Sequence, residues 1–229
     1  MTRVLWRVVQ RLRFRLWQHR RHDRLVLERG LGFPVVVLPG VFNPTLFLTT
    51  EVMVRHLGEH PLPAGCSVLD VGTGSGALAV AAARAAGRVA AVDVNPEAVR
   101  CARLNLVLNR VDDRAEVRHG DLFDAVAGER FDRVLCNPPF YRGRASTDLE
   151  RAFYADDFAE RFAAALPEHL AGGGCALVVL GSDGDEAGFL GAFEAASLAV
   201  EEVARTKRFG ERIRIVRLTR QADALPDLR

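Results

Sequence analysis

Val68-Leu69-Asp70-Val71-Gly72-Thr73-Gly74-Ser75-Gly76 carries an apolar run through three alternate glycines into an alanine-rich stretch that begins at Ala77. The apolar run reads as a buried strand, and residues 76–86 read as a helix. Glycine allows the tight turn between them and a close approach of backbone to a ligand, while the start of the helix supplies amides with no intrahelical partner. This is the make-up of a nucleotide pocket. The spacing is G-x-G-x-G and not the dinucleotide G-x-G-x-x-G, so a pyrophosphate cradle is not the natural match. Asp70, just before the turn, sets a carboxylate where an ammonium group can sit, which suits an amino-acid cofactor better than a phosphate.

Outward from this turn the periodicity alternates. Strands are expected at 67–71, 89–94, 115–119, 131–136, 175–181, 199–204 and 212–218, and helices at 49–57, 76–86, 96–109, 152–170 and 185–195. Strands separated by helices pair in parallel through right-handed crossovers. The fold class expected is therefore α/β, a doubly wound, mostly parallel sheet of seven strands. The last two strands follow each other without a helix, so the final one is expected to be antiparallel.

Three further groups of residues sit where such a sheet keeps its chemistry. The second strand ends in Asp93-Val94-Asn95-Pro96, where Asn95 can cap the helix that Pro96 opens and Asp93 can accept hydrogen bonds from ribose hydroxyls. The third runs into Gly120-Asp121-Leu122-Phe123, so that Asp121 can receive the exocyclic amine of an adenine while Leu122 covers its ring. The fourth ends in Asn137-Pro138-Pro139-Phe140. Two prolines remove backbone donors and stiffen the turn, leaving the Asn137 side-chain carbonyl and the Pro138 backbone carbonyl as acceptors for one NH₂. Phe140 can stack on the planar group to which that nitrogen belongs.

Hydrophobic residues make up 49% of the 229 and charged residues 26%, a globular composition that excludes long disorder and disulfide scaffolds. Residues 1–30 hold nine arginines against Asp23 and Glu28, a balance of +7, whereas the other 22 basic and 27 acidic side chains leave −5 for the rest. Within this basic arm Leu5, Val8, Val9, Leu12 and Leu16 form one helical face, opposed by Arg3, Arg7, Arg11 and Arg15, with Trp6 and Trp17 at its flank. Such an amphipathic helix suits docking on the body, an anionic membrane surface or nucleic acid. Cys66, Cys101, Cys136 and Cys175 are too scattered for a zinc site, so no metal is expected. His119 and His169 read as structural. With no apolar stretch of membrane-spanning length and no apolar signal core, a cytoplasmic location is expected, peripheral membrane contact through the arm being one of its open alternatives.

In these motifs the sequence resembles the class I S-adenosylmethionine-dependent methyltransferases, and among them the HemK-like "small domain" N-methyltransferases. The resemblance spans residues 34–219 and rests on the 69–76 turn, Asp93-Val94-Asn95-Pro96, Gly120-Asp121-Leu122-Phe123 and Asn137-Pro138-Pro139-Phe140, in family order and spacing. It implies a Rossmann-like fold, S-adenosylmethionine as cofactor and S-adenosylhomocysteine as its product. The methionine moiety is expected at Asp70, Gly72, Thr73, Gly74 and Gly76, ribose at Asp93 and Val94, adenine at Asp121 and Leu122, and the substrate nitrogen at Asn137, Pro138 and Phe140, with Asn137 also counted among the cofactor-binding residues. Upstream, Val41-Phe42-Asn43-Pro44 and Thr50-Glu51 look like the segment that closes over the cofactor, with Thr50 as a ligand to it. The chain then divides into a helical arm (1–30), a cofactor-covering segment (31–65), a catalytic domain (66–220) and a tail (221–229).

The function expected is transfer of a methyl group to a planar nitrogen, an amide or an exocyclic base amine, borne by protein, RNA or a small molecule. Glutamine methyltransferases of release factors usually end the tetrapeptide in Tyr; the Phe140 ending also occurs in relatives that methylate exocyclic amines of RNA bases. Two alternatives stand beside this: a cofactor-binding protein whose arm engages membrane or nucleic acid, and a methyltransferase acting on a lipophilic small molecule.

Overall fold

Five-residue strand β3 (Ser67–Val71) is buried along almost its whole length and anchors the centre of a seven-stranded sheet. The computed structural model describes residues 24–223 with the exception of Phe209. The arginine-rich stripe of the arm, Trp6 and Trp17 lie outside the described residues, as does most of the tail.

Ahead of β3 come a hairpin, β1 (Val26–Glu28) and β2 (Val35–Val37), and helix α1 (Leu48–Glu59). After it the chain alternates: α2 (Ala77–Ala83), β4 (Arg88–Asp93), α3 (Pro96–Leu108), β5 (Ala115–His119), β6 (Phe131–Cys136), the single turn α4 (Asp148–Arg151) and α5 (Phe158–His169). It ends with β7 (Leu170–Gly181), α6 (Glu186–Ala195), β8 (Leu198–Arg208) and β9 (Glu211–Arg220). Sheet order is β5-β4-β3-β6-β7-β9-β8. The first five of these strands are parallel, and β9 is antiparallel to both neighbours. Alternation along the strands separates two apolar layers: Val68 and Ala91 pack with α1, α2 and α3, while Leu69, Val92 and Val134 pack with α5 and α6. The doubly wound, mostly parallel sheet expected from the sequence is thus the fold observed.

Several boundaries differ for identifiable reasons. The helix expected from residue 152 starts only at Phe158, because Tyr141 and Tyr154 form an isolated bridge: the Tyr141 amide donates to the Phe153 carbonyl at 2.8 Å and the Ala155 amide to the Tyr141 carbonyl at 3.0 Å. Strands β8 and β9 run longer than their apolar centres, since charged residues pair across the hairpin, as Glu201 does with Arg217 opposite it. The β1–β2 pairing crosses the boundary drawn at residue 30 and joins 26–28 to the body. That hairpin is stapled down by the buried Asn105 of α3, whose Oδ1 accepts from the Val36 amide at 2.7 Å and whose Nδ2 donates to the Val36 carbonyl at 2.6 Å and the Ser75 carbonyl at 2.8 Å.

Gly76 sets how closely the loop after β3 approaches α3. Its φ is 82°, and a Cβ added there would lie 2.9 Å from both Cα and Cβ of Ala102. Gly72 has a similar φ of 71° but open space around it. Gly76→Ala is therefore expected to lower unfolding free energy by about 2–4 kcal/mol, backbone strain plus overpacking, against about 1–2 kcal/mol for Gly72→Ala. Equal losses in urea unfolding would show that contact with Ala102 does not limit the packing.

Candidate active site

In a doubly wound sheet a crevice opens where neighbouring strands send their connections to opposite sides. Here that point lies between β3, which leads across to β4, and β6, which leads to β7. A cavity of about 270 Å³ opens at the ends of these strands. Its wall includes Gly72, Thr73, Gly74, Asp93, Val94, Asp121, Leu122, Asn137, Pro138, Phe140 and Thr50. Four separate stretches of sequence singled out for chemistry are thereby brought together.

Each side chain has a definite local cause. The Gly72 and Thr73 amides both donate to the Val92 carbonyl, at 2.9 and 3.0 Å, so the loop continues the β3–β4 pairing before it turns. Asp93 then holds two turns at once: Oδ2 accepts from the Gly74 amide at 2.8 Å and Oδ1 from the Asn95 amide at 2.9 Å. Burial pushes its carboxyl up, against the pull of these hydrogen bonds. Each oxygen keeps a further lone-pair direction for a ligand. Asn95 caps α3 by accepting from the Glu97 amide at 2.9 Å, and its Nδ2 donates to the Gly40 carbonyl at 3.3 Å.

Asn137 is held by its donor and left free at its acceptor. Its Nδ2 donates to Thr50 Oγ1 at 3.1 Å, while Oδ1 is buried without a hydrogen-bond partner. Phe140 is fixed through its backbone, whose carbonyl accepts from the Asp185 amide at 2.8 Å, and through its ring, which stacks on Phe47 with centroids 6.2 Å apart. Phe47 in turn stacks on Phe42 at 4.7 Å. Phe42, Gly40 and Pro44 also line the cavity, so the 40–50 segment forms part of its wall.

Two of the residues expected at the cofactor stand just behind this wall. Asp70 and Gly76 are not on the cavity wall. Asp70 is 1% exposed; its Oδ2 accepts from Thr73 Oγ1 at 2.6 Å and from the Ala79 amide at 3.0 Å, so this oxygen braces the loop against the start of α2, while Oδ1 is buried without a hydrogen-bond partner. Strand alternation is the reason: Asp70 points to the same side as Val68, toward α2. The wall also contains residues not singled out from sequence, among them Asp148, Arg151, Tyr154, Phe158 and Arg161. Their signal was positional, since the connection that leaves the end of β6 must pass the mouth of the crevice. Among the described residues no cluster of His, Cys, Asp or Glu could hold a metal, and no helix is long and apolar enough to cross a membrane.

The geometry has its counterpart in known proteins. Residues 32–210 match the family described as "Methyltransferase small domain", and the chain belongs to that family. The release factor glutamine methyltransferase of Koribacter versatilis is 30% identical over 191 residues, which take in 70% of this chain and 67% of that one. That of Shewanella oneidensis is 35% identical over 137 residues, 54% of this chain and 48% of the relative. The ribosomal protein L11 methyltransferase of Bacillus subtilis is 43% identical over 118 residues, 50% of this chain and 34% of the relative. The chain thus spans about half or less of the length of the last two. Among solved structures, a Thermus thermophilus 16S rRNA N2 G1207 methyltransferase, in complex with AdoMet and guanosine, superposes with a TM-score of 0.67 at 24% identity, over 86% of this chain and 50% of that one. This likeness shows the shared fold.

The desolvated Asp70 carboxyl has its ionisation pushed from 3.8 up to about 7. Between those values the folded chain keeps a proton that the unfolded chain has lost, so this group makes folding less favourable as pH rises. Asp70→Asn keeps an oxygen for Thr73 and Ala79 and removes the charge. The difference in unfolding free energy, variant minus wild type, is expected to increase from pH 4 to pH 8; a difference that stays constant would contradict the assignment.

Proposed function

We propose that this chain transfers a methyl group from S-adenosylmethionine to a planar nitrogen, an amide or an exocyclic base amine, of a macromolecular substrate. The observation that carries this reading is the buried, unpartnered Asn137 Oδ1 at the end of β6, in a side chain on the cavity wall whose donor side is already engaged by Thr50. A buried acceptor without a donor is costly unless a ligand supplies one. An NH₂ group supplies one hydrogen to Asn137 Oδ1 and the other to the Pro138 carbonyl.

When bound, the cofactor supplies an electrophilic methyl group on its sulfonium. On this reading Gly72, Thr73 and Gly74 follow its methionine portion, with Asp70 and Gly76 behind them shaping the loop. Asp93 accepts from the ribose hydroxyls beside Val94, and Asp121 and Leu122 meet the adenine. Thr50, Phe42 and the rest of 31–65 close the cavity and hold Asn137 in orientation. Phe140 packs against the plane of the substrate group, so that the nitrogen lone pair is aimed in line; catalysis is then mainly a matter of position. The relatives named for glutamine methylation support an amide as one acceptor class, and the Phe140 ending supports a base amine as the other.

S-adenosylmethionine and S-adenosylhomocysteine are expected to raise the melting temperature of the chain, and NAD is not, because only a ligand of the native state stabilises it. Calorimetry that found NAD bound and the adenosyl ligands ignored would refute the cofactor assignment. Asn137→Ala is expected to leave cofactor affinity within about threefold yet cut turnover by about two orders of magnitude or more. Normal turnover by Asn137→Ala on the true substrate would rule out the amine clamp.

A further inference from the structure

The turn after β5 is built at a conformational cost. Leu122 has φ 50°, in the left-handed region that a leucine avoids. Gly120 is packed so tightly that a Cβ there would lie 2.7 Å from the Cβ of Ala125. The turn is locked from both sides: the Gly120 amide donates to the Asp93 carbonyl and the Asp124 amide to the Asp121 carbonyl, each at 3.0 Å. Backbone strain persists where the surroundings over-determine it, and it gathers at functional sites. Here it sets Asp121 and Leu122 side by side on the cavity wall.

Arg161, in the first turn of α5, completes the arrangement. Its Nη2 donates to Asp121 Oδ2 at 2.7 Å, and its Nη1 lies 3.9 Å from Asp157 Oδ1. The two side chains are 45% and 43% exposed, so the pair adds little to the stability of the fold. Its consequence is geometric. The terminal torsion of an aspartate is soft, and a planar guanidinium anchored on one oxygen turns the other to a defined place. Among the described residues no donor meets Asp121 Oδ1.

We propose that Arg161 is a specificity-determining positioning residue: by holding Asp121 Oδ2 it presents Oδ1 to the 6-amino group of the cofactor's purine, so that the site tells an adenosyl ligand from an inosyl one. The inference rests on the cofactor reading above. A 6-oxo purine would bring a second acceptor against a carboxylate that Arg161 keeps from turning away, a repulsive contact that works against the wrong base.

The test is titration calorimetry of the full chain with S-adenosylhomocysteine and with S-inosylhomocysteine, for wild type, Arg161→Met and Arg161→Lys, with melting curves to confirm that each variant is folded. Arg161→Met is expected to bind S-adenosylhomocysteine about 3–10-fold more weakly, the worth of one well-placed hydrogen bond. The inosyl ligand should bind as before or better, so that the preference between the two falls, and Arg161→Lys should restore part of it. Equal losses for both ligands, or no change in either, would overturn the assignment and leave Arg161 a structural residue. Tighter binding of S-adenosylhomocysteine by Arg161→Met would overturn it in the opposite sense, because Arg161 would then compete with the base for Asp121. A wild-type chain that bound neither ligand would refute the cofactor reading itself and this inference with it.

Discussion

A carboxylate drawn out of water needs donors, and Asp93 finds them in the amides of Gly74 and Asn95. Those two hydrogen bonds tie the loop after β3 to the end of β4 and to the cap of α3. The loop then has little freedom: the Gly72 and Thr73 amides are already joined to Val92, and Gly76 lies against Ala102. Lose the Asp93 contacts and the loop keeps its ties to Val92 but is no longer fastened to the cap of α3. The fixed loop also leaves lone pairs of Asp93 open to the cavity.

A second coupling joins the N-terminal segment to the chemistry. Asn105 bonds both backbone groups of Val36 and also the Ser75 carbonyl, so the hairpin and the glycine loop share one buried side chain. Farther along the same segment, Thr50 takes the Asn137 donor. The N-terminal segment and Asn137 are thus ordered by the same part of the fold. A residue far from Asn137 in sequence thereby governs which way its amide points.

How much of this was legible depended on whether the information was local. The glycine turn, Asp93, and Asn137-Pro138-Pro139-Phe140 could be read because strand, turn and helix signals lie within a few residues of one another, and all but Asp70 and Gly76 of the named positions line the cavity. The side-chain direction of Asp70 was less legible: the alternation that makes Val68 face α2 makes Asp70 do so too. The β1–β2 hairpin was hidden because each strand is three residues long and is fastened to the body by Val35 and Val37 in the core and by Asn105 about seventy residues away. Arg161 was invisible as a site residue, since its pairing with Asp121 spans forty residues and is made by the packing of α5. The start of α5 shifted for a similar reason, as a backbone bridge between Tyr141 and Tyr154 overrides local helix propensity.

Family membership makes the chemistry methyl transfer, and on the reading proposed above the free Asn137 oxygen points to a nitrogen acceptor. The direct test follows tritium from methyl-labelled S-adenosylmethionine into cell extract, with the labelled fraction sorted by protease, nuclease and solvent extraction and then degraded to its amino acids or nucleosides. The account predicts label in a macromolecular fraction, on an amide nitrogen or an exocyclic base amine. Label on carbon, oxygen or sulfur, or enzyme-dependent label found only in the solvent-extracted fraction, would contradict it.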